Sequence, residues 1–409
     1  MRNSPPRVLT FTTLFPNREQ PGHGTFVKER IVALAKLLEL RVVAPVPWFP
    51  RTRFFGERYY RYSQVPRSEN QEGIAVDHPR FPVIPKVGKS ADGLLLAAGA
   101  FTQLRRVRAE FPFDVLDAHW AYPDGVAGAI LAGRLRVPLA ITVRGDDINV
   151  FMKESWRRPW IRWALRRADL VIALSSELKD IVTATGVAAS RISVIPNGIN
   201  PEKFHPVDRG IARRHLGLPA EGRLVLSVGR LHESKGFPVL VEAAGRLRQR
   251  FPDLHVYIVG PPDHEADARP EILQAAARGG FTDRLHLVGA QDPGLLKYWY
   301  AAADVFCLPT AREGSANALL EAMACGLPCV TTPVGGNPDA VSTRDVGYLV
   351  EPSATAMGEA LAEALSRRWD AARISEHGLR RTWRTVAGEC RDQLAAIVEA
   401  HRAETSAAR

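Results

Sequence analysis

Short apolar runs alternate along the chain with longer stretches of helical spacing. "RVLTFTTLF", "LRVVAPV", "DVLDAHW", "PLAITVRG" and "ADLVIALS" fall in the first half, each bounded by polar or turn residues. Continuous apolar runs of this length read as strands buried on both faces. The first opens into a Gly/Pro loop and then a helix-period stretch from Thr25 to Leu38. Residues 50–75 are polar, aromatic and without period, and read as a long loop. "SSELKDI" offers Ser175 or Ser176 as a helix N-cap. After "RISVIPNGINPEKFHP", with Asn197-Gly198 as a turn, the pattern resets. A second series follows: "RLVLSVGRL", "LHVYIVG", "RLHLVGA", "DVFCLPT", "LPCVTTPVGG" and "GYLVEP".

Strands alternating with helices imply parallel sheets covered on both faces. The pattern predicts an α/β protein of two doubly wound, Rossmann-like domains facing a central cleft. The N-terminal domain would span residues 1–200 and a linker 201–222. A second domain would span 223–373, and a helical segment, 374–409, would pack back toward the first. Open parallel sheets bind ligands beyond the carboxyl ends of their strands, so candidate chemistry belongs at those ends.

The 409 residues allow two or three domains. The net charge of +10 is uneven: residues 1–200 hold 29 Lys and Arg against 18 Asp and Glu, the remainder 25 against 26. The basic half would suit a polyanion, an anionic membrane surface, or simply an Arg-rich surface. Cys307, Cys325, Cys329 and Cys390 form no CxxC pair and read as packing thiols of a reducing compartment. The N-terminus shows no leader pattern, and "GLLLAAGAF" is too short to span a bilayer. The expected localisation is cytoplasmic, peripheral at most on the inner face of the cell membrane.

"SVGRLHESKGF" places Arg230 and Lys235 between a strand end and a helix start, a good anion site but not a Walker A loop. "PNREQPGHG" puts Gly22 and Gly24 at another strand-to-helix turn, without the dinucleotide fingerprint. His119 ends an apolar strand. Arg144, Asp146 and Asp147 follow another, with no ligand spacing that supports a metal. In "TAREGSANALLEAMACG", Glu313 and Glu321 stand eight positions apart. Ser315 or Asn317 would cap the intervening helix and Gly326 would end it. Carboxylates accept hydrogen bonds from neighbouring hydroxyls, and helix-mouth or Gly335-Gly336 N–H groups would donate to phosphate. A nucleotide sugar presents both needs together. In "KESWRRPWIRWALRRADL", Trp156, Trp160 and Trp163 interleave with five arginines. The segment would be a membrane-docking face or a helix packed by its tryptophans.

On "GRLHESKG", the run 287–341 and "VIPNGI", the chain resembles the retaining family 4 glycosyltransferases of GT-B type. "FPNREQPGHGTFVKER", "DAHWAYPDGVAG" and "TVRGDDIN" look like the branch that builds teichuronic acid, capsule and exopolysaccharide. The resemblance implies transfer of a sugar from a nucleoside-diphosphate donor, with UDP or GDP expected, to a surface polysaccharide or polyprenyl-diphosphate-linked glycan. It implies no metal and no cofactor. Arg230 and Lys235 would bind the diphosphate, Glu313 the sugar and Glu321 the ribose. The backbone of Ser315, Ala316 and Asn317 would contact sugar and phosphate, and Val288 would lie beside the base. Gly22 and Gly24 would border the reacting centre, with His119 hydrogen-bonding the sugar. Arg144, Asp146 and the three tryptophans would serve the acceptor or membrane side. Ser315 departs from the bulkier residue or glycine often found there. The rivals are a nucleotide-sugar epimerase or hydrolase of the same fold and a non-catalytic nucleic-acid-binding protein. The last lacks any recognition helix, zinc module or stacking motif.

Overall fold

The computed structural model describes residues 5–83, 89–263 and 266–407. The first four residues, within the stretch expected to lack a leader, lie outside the described residues. The chain divides into two units: residues 1–197 with 383–409, and residues 198–382.

Ten strands of the first unit are described: β1 (Val8–Phe11), β2 (Leu40–Val43), β3 (Val46–Pro47), β4 (Ser68–Gln71), β5 (Ile74–Asp77), β6 (Arg80–Phe81), β7 (Val115–His119), β8 (Leu139–Val143), β9 (Leu170–Ala173) and β10 (Ile192–Val194). Eight of them form one sheet, ordered β10-β9-β8-β7-β1-β2-β5-β4, while β3 pairs with β6. Every pairing in the large sheet is parallel except β4 with β5. The strand order reverses between β1 and β7, and that switch point is where open α/β sheets bind ligands.

Side chains alternate across each strand, so β1 supplies two cores. Leu9 and Phe11 pack with Leu116, Ile141 and Val171 under helices Asp92–Glu110 and Val126–Leu135. Val8 packs with Val115, Ala140 and Ile172 under Leu34 and the final helix, Trp383–Ala407. That helix turns Trp383, Val386, Cys390, Leu394 and Val398 inward, three or four positions apart, the spacing of one helical face. It is anchored by Ser193 Oγ donating to Gln393 Oε1 at 2.8 Å and by Arg402 on Asp114 at 2.6 Å.

The second unit has β11 (Arg223–Val228), β12 (Leu254–Val259), β13 (Leu285–Gly289), β14 (Val305–Leu308), β15 (Cys329–Thr331) and β16 (Gly347–Leu349). They form an all-parallel sheet ordered β13-β12-β11-β14-β15-β16, reversing between β11 and β14. Val225, Val256 and Cys307 face helices Phe237–Leu247 and Ala354–Ser366. Leu224, Leu226 and Phe306 face helices Asn317–Ala324 and Ala371–Leu379.

Three local expectations differ from the structure. Residues 50–75 are not one loop: they hold helix Glu57–Gln64 and strands β4 and β5 up to Ala75. The stretch 201–222 carries helix Arg209–His215, whose Arg213 is buried and donates to the carbonyls of Ala302, Pro219, Ala220 and Gly222. One buried arginine satisfying four carbonyls makes this segment part of the second unit's fold. Of the two serines offered as a cap, Ser175 takes the role and accepts from Leu178 N at 3.3 Å. All four cysteines are buried.

Candidate active site

In the second unit, three loops converge at the switch point. β11 ends into a short turn, Glu233–Lys235, capped by His232 Nδ1 accepting from Ser234 N at 3.0 Å. The loop after β14 is tied to it: Ala311 N and Thr310 Oγ1 both donate to the carbonyl of Ser234, at 2.8 and 3.0 Å. The loop after β15 joins through Thr332 Oγ1, which donates to Thr310 O at 2.5 Å. Gly335 has φ +58, and a Cβ there would overlap the carbonyl oxygen of Glu313. Only glycine combines that backbone with that contact.

This scaffold brings Lys235 Nζ to 2.6 Å from Glu313 Oε2, with both side chains mostly buried at 24% and 14% exposure. The pair neutralises a carboxylate that would otherwise repel any phosphate nearby. Arg230 is not part of it. Its guanidinium is 68% exposed and lies 3.3 Å from Asp263, a partner that sequence inspection did not single out.

Glu313 precedes helix Asn317–Ala324. Neither Ser315 nor Asn317 caps it, contrary to expectation: Ala316 stands at the N-cap, and no side-chain cap forms. The main chain turns tightly there, with Asn317 N donating to Ser315 O at 3.0 Å. The positive dipole end of this helix faces the same loops, a setting that favours an anion. Glu321 lies one turn further in. It accepts from the Tyr300 hydroxyl at 2.7 Å. Tyr300 is fully buried, and burial followed by the Glu321 charge pushes its pKa well above the ordinary value, so it stays a donor. "KYWYAAAD" gave no hint of this, because the tyrosine reads as a core residue. Val288 is half-buried near the end of the edge strand β13, two strands from β11.

The first unit has its own polar cluster at the β1/β7 switch. Asp124, fully buried, accepts from Thr13 N at 2.9 Å and from the hydroxyls of Thr13 and Thr12. Burial raises its pKa to about 7 against the pull of those bonds. These bonds join the loops after β1 and β7, while Thr13 O meets His23 Nε2 of its own loop at 3.0 Å. Gly24, at φ +66, starts helix Thr25–Ala35 where a Cβ would meet the Leu14 carbonyl, whereas Gly22 is exposed with nothing near.

His119 is fully buried. Its Nε2 lies 3.0 Å from Asp117 Oδ2 and its Nδ1 lies 2.6 Å from Arg144 Nη2. Arginine only donates, so Nδ1 accepts and Nε2–H donates to Asp117. Burial lowers the His119 pKa to about 4, which keeps the ring neutral. Both ring nitrogens are thus occupied, and a sugar hydrogen bond from this ring is not available in this arrangement. Burial pushes Asp117 up, but His119, Arg30 and Arg144 outweigh it and hold its pKa below the usual value. Asp147 accepts from the N–H groups of Ala121, Arg144 and Gly145. Asp146 is exposed at the start of the short helix Asp146–Asn149. Among the described residues, no group of three His, Cys, Asp or Glu is placed to hold a metal ion.

Pro159 sits in the first turn of helix Arg158–Arg167. Trp160 and Trp163 pack edge-to-face at 6.1 Å and lie against the core, whereas Trp156 is 36% exposed. Most of this tryptophan set therefore serves packing. Among the described residues, no helix is long and apolar enough to cross a membrane.

A strand-order reversal in each of two largely parallel sheets, one of them carrying the Lys235–Glu313 pair, matches the GT-B glycosyltransferase architecture. The model of "Glycosyltransferase Family 4" matches residues 22–203 and that of "Glycosyl transferases group 1" matches 222–367. TuaC of Bacillus subtilis, which carries the name teichuronic acid biosynthesis glycosyltransferase, is 30% identical over 88% of both chains. The chain belongs to this family of glycosyltransferases, and it is an enzyme of that class. A D-inositol 3-phosphate glycosyltransferase of Stackebrandtia nassauensis is likewise 30% identical, over 95% of this chain and 91% of its own. Among solved structures, Anabaena Alr3699/HepE in complex with UDP superimposes with a TM-score of 0.73 at 21% identity, covering 95% of this chain and 100% of that one. Sucrose-phosphate synthase from Thermosynechococcus elongatus gives 0.71 at 22%, covering 98% and 97%.

Proposed function

We propose that the protein is a retaining glycosyltransferase that moves a sugar from a nucleoside-diphosphate donor to a lipid-linked or growing cell-surface glycan. The observation that carries the donor reading is the Lys235–Glu313 pair, 2.6 Å apart at the β11/β14 switch. A bound diphosphate would take Lys235, Arg230 and the N–H groups at the mouth of helix Asn317–Ala324. Glu313 would then accept from the sugar hydroxyls, and Glu321, oriented by Tyr300, from the ribose. The UDP complex of the Anabaena neighbour supports a uridine donor. The two cations and the helix mouth supply the charge that stabilises the departing diphosphate, so no metal is required. In the step itself, the acceptor oxygen bonds to the anomeric carbon on the face the phosphate leaves. The carbon–oxygen bond to phosphate breaks, and the hydroxyl proton passes to that phosphate oxygen.

The acceptor reading rests on TuaC, whose name places it in teichuronic acid biosynthesis. The first unit would hold this substrate, close to an anionic membrane surface. His119 would act there by fixing the β7 end through Asp117 and Arg144 rather than by touching the sugar through its ring. The test is a thermal-shift screen against UDP-, GDP- and ADP-sugars, since a ligand of the native state raises the melting temperature. Stabilisation by one nucleotide series is expected; no shift with any of them contradicts the donor reading.

A further inference from the structure

The stretch between β3 and β4 leaves large apolar side chains in solvent. Phe54 is 89% exposed and Trp48 56%, the highest values among the described large hydrophobic residues. Neither belongs to a buried cluster. Yet the segment is built. Phe49 packs on Tyr59 with ring centroids 4.4 Å apart and on Tyr62 at 6.3 Å. Thr52 accepts from Phe54 N at 3.2 Å and caps the turn. Arg53 lies over Tyr60 at 4.9 Å and reaches Glu57 at 3.6 Å. Phe49, Tyr59 and Tyr62 thus hold the segment in shape, while Trp48 and Phe54 add little to the folded interior.

The surrounding charge has one sign. Residues 48–67 contain Arg51, Arg53, Arg58, Arg61 and Arg67 against Glu57 alone. Single exposed apolar residues are ordinary. Trp and Phe among arginines form the composition of a segment that lies in a bilayer interface. There the rings enter the headgroup layer and guanidinium groups pair with phosphate. The other basic, tryptophan-bearing stretch, at 156–167, spends Trp160 and Trp163 on packing.

We propose that residues 48–61 dock this protein on an anionic phospholipid surface, with Trp48 and Phe54 inserted and Arg51, Arg53 and Arg61 on the lipid phosphates. The inference deepens the reading of a lipid-linked acceptor and rests on it for its purpose. The binding itself is measured without donor or acceptor, so the two can fail separately.

The experiment is flotation of the full chain with phosphatidylglycerol–phosphatidylcholine vesicles and with phosphatidylcholine alone, at low and high salt. The wild type should float with the anionic vesicles only, and salt should weaken it. The double variant Trp48→Ser/Phe54→Ser should bind roughly tenfold more weakly or worse, yet melt and respond to nucleotide sugars like the wild type. Trp156→Ser should bind like the wild type. The proposal is overturned if the wild type ignores anionic vesicles, or if the double variant binds them unchanged. It is also overturned if Trp156→Ser alone abolishes binding, or if a single-stranded oligonucleotide is bound in preference to the vesicles.

Discussion

In the proposed donor site Lys235 and Glu313 have different tasks, and their substitutions should separate. Lys235→Ala removes a charge-assisted contact to the diphosphate and also leaves Glu313 unpaired, so donor binding and transfer should both fall, by about tenfold or more. Glu313→Gln keeps the shape and hydrogen-bonding capacity toward hydroxyls but loses the charge on the reacting sugar. Turnover should fall by about 10²-fold with nucleotide affinity changed far less. Steady-state kinetics with nucleotide titrations checks both. Gly335→Ala should cost about 1–3 kcal/mol, because φ +58 and the Glu313 carbonyl both exclude a Cβ. A lower melting temperature together with weakened transfer is expected. His119 gives a pH signature. Its folded pKa, about 4, lies below the unfolded 6.5, so the unfolded chain gains a proton first as pH falls. Stability contributed by the neutral ring is full above about 6.5 and is lost toward 4. Wild type should therefore lose melting temperature relative to His119→Gln across that window. Asp124 runs the other way: raised from 3.8 to about 7, it contributes stability below 3.8 that is lost as pH rises through 7. Only the difference between wild type and each variant isolates one group. At this scale the sequence disclosed the charged residues but not their partners. Asp263 lies 33 positions from Arg230 and Tyr300 lies 21 from Glu321, and nothing local links them. The His119 ring shows the same limit, since its strand-end position was legible but its enclosure by Asp117 and Arg144 was not.

The βα alternation was readable because strands buried on both faces are continuous apolar runs between turn residues. Elements that lack such runs were not. Helix Glu57–Gln64, "ERYYRYSQ", has no apolar stripe, and helix Arg209–His215 is held mainly by the carbonyl contacts of Arg213. The mouth of helix Asn317–Ala324 misled for another reason. Ser315 and Asn317 are good capping types, but Ala316 takes the N-cap position between them. The final helix carries a prediction of its own. Trp383, Val386, Cys390, Leu394 and Val398 cover Val8, Val115 and Ile172 on one face of the first sheet. Each fully buried side chain of this kind is worth roughly 1.5–3 kcal/mol. Removing residues 383–409 should therefore abolish cooperative unfolding of the first unit. The check is circular dichroism melting with dye binding to the bared face; an unchanged transition would contradict it.

Across the whole molecule the same device occurs twice. Each sheet reverses its strand order once, β1/β7 in the first unit and β11/β14 in the second, and a tied cluster of residues lies at each reversal. The first gathers Thr12, Thr13, His119 and Asp124, the second Lys235, Glu313 and Gly335. In the proposed reading the two reversals would serve the two substrates of a transfer reaction. Fold alone does not supply an activity; the donor residues do. In the proposed reading the second unit binds a nucleoside diphosphate through Lys235. Calorimetric titration of the full chain with UDP, repeated on Lys235→Ala, tests it directly. Saturable one-site binding to the wild type is expected, with a dissociation constant at least about tenfold higher in the variant. Equal dissociation constants for the two proteins would contradict it.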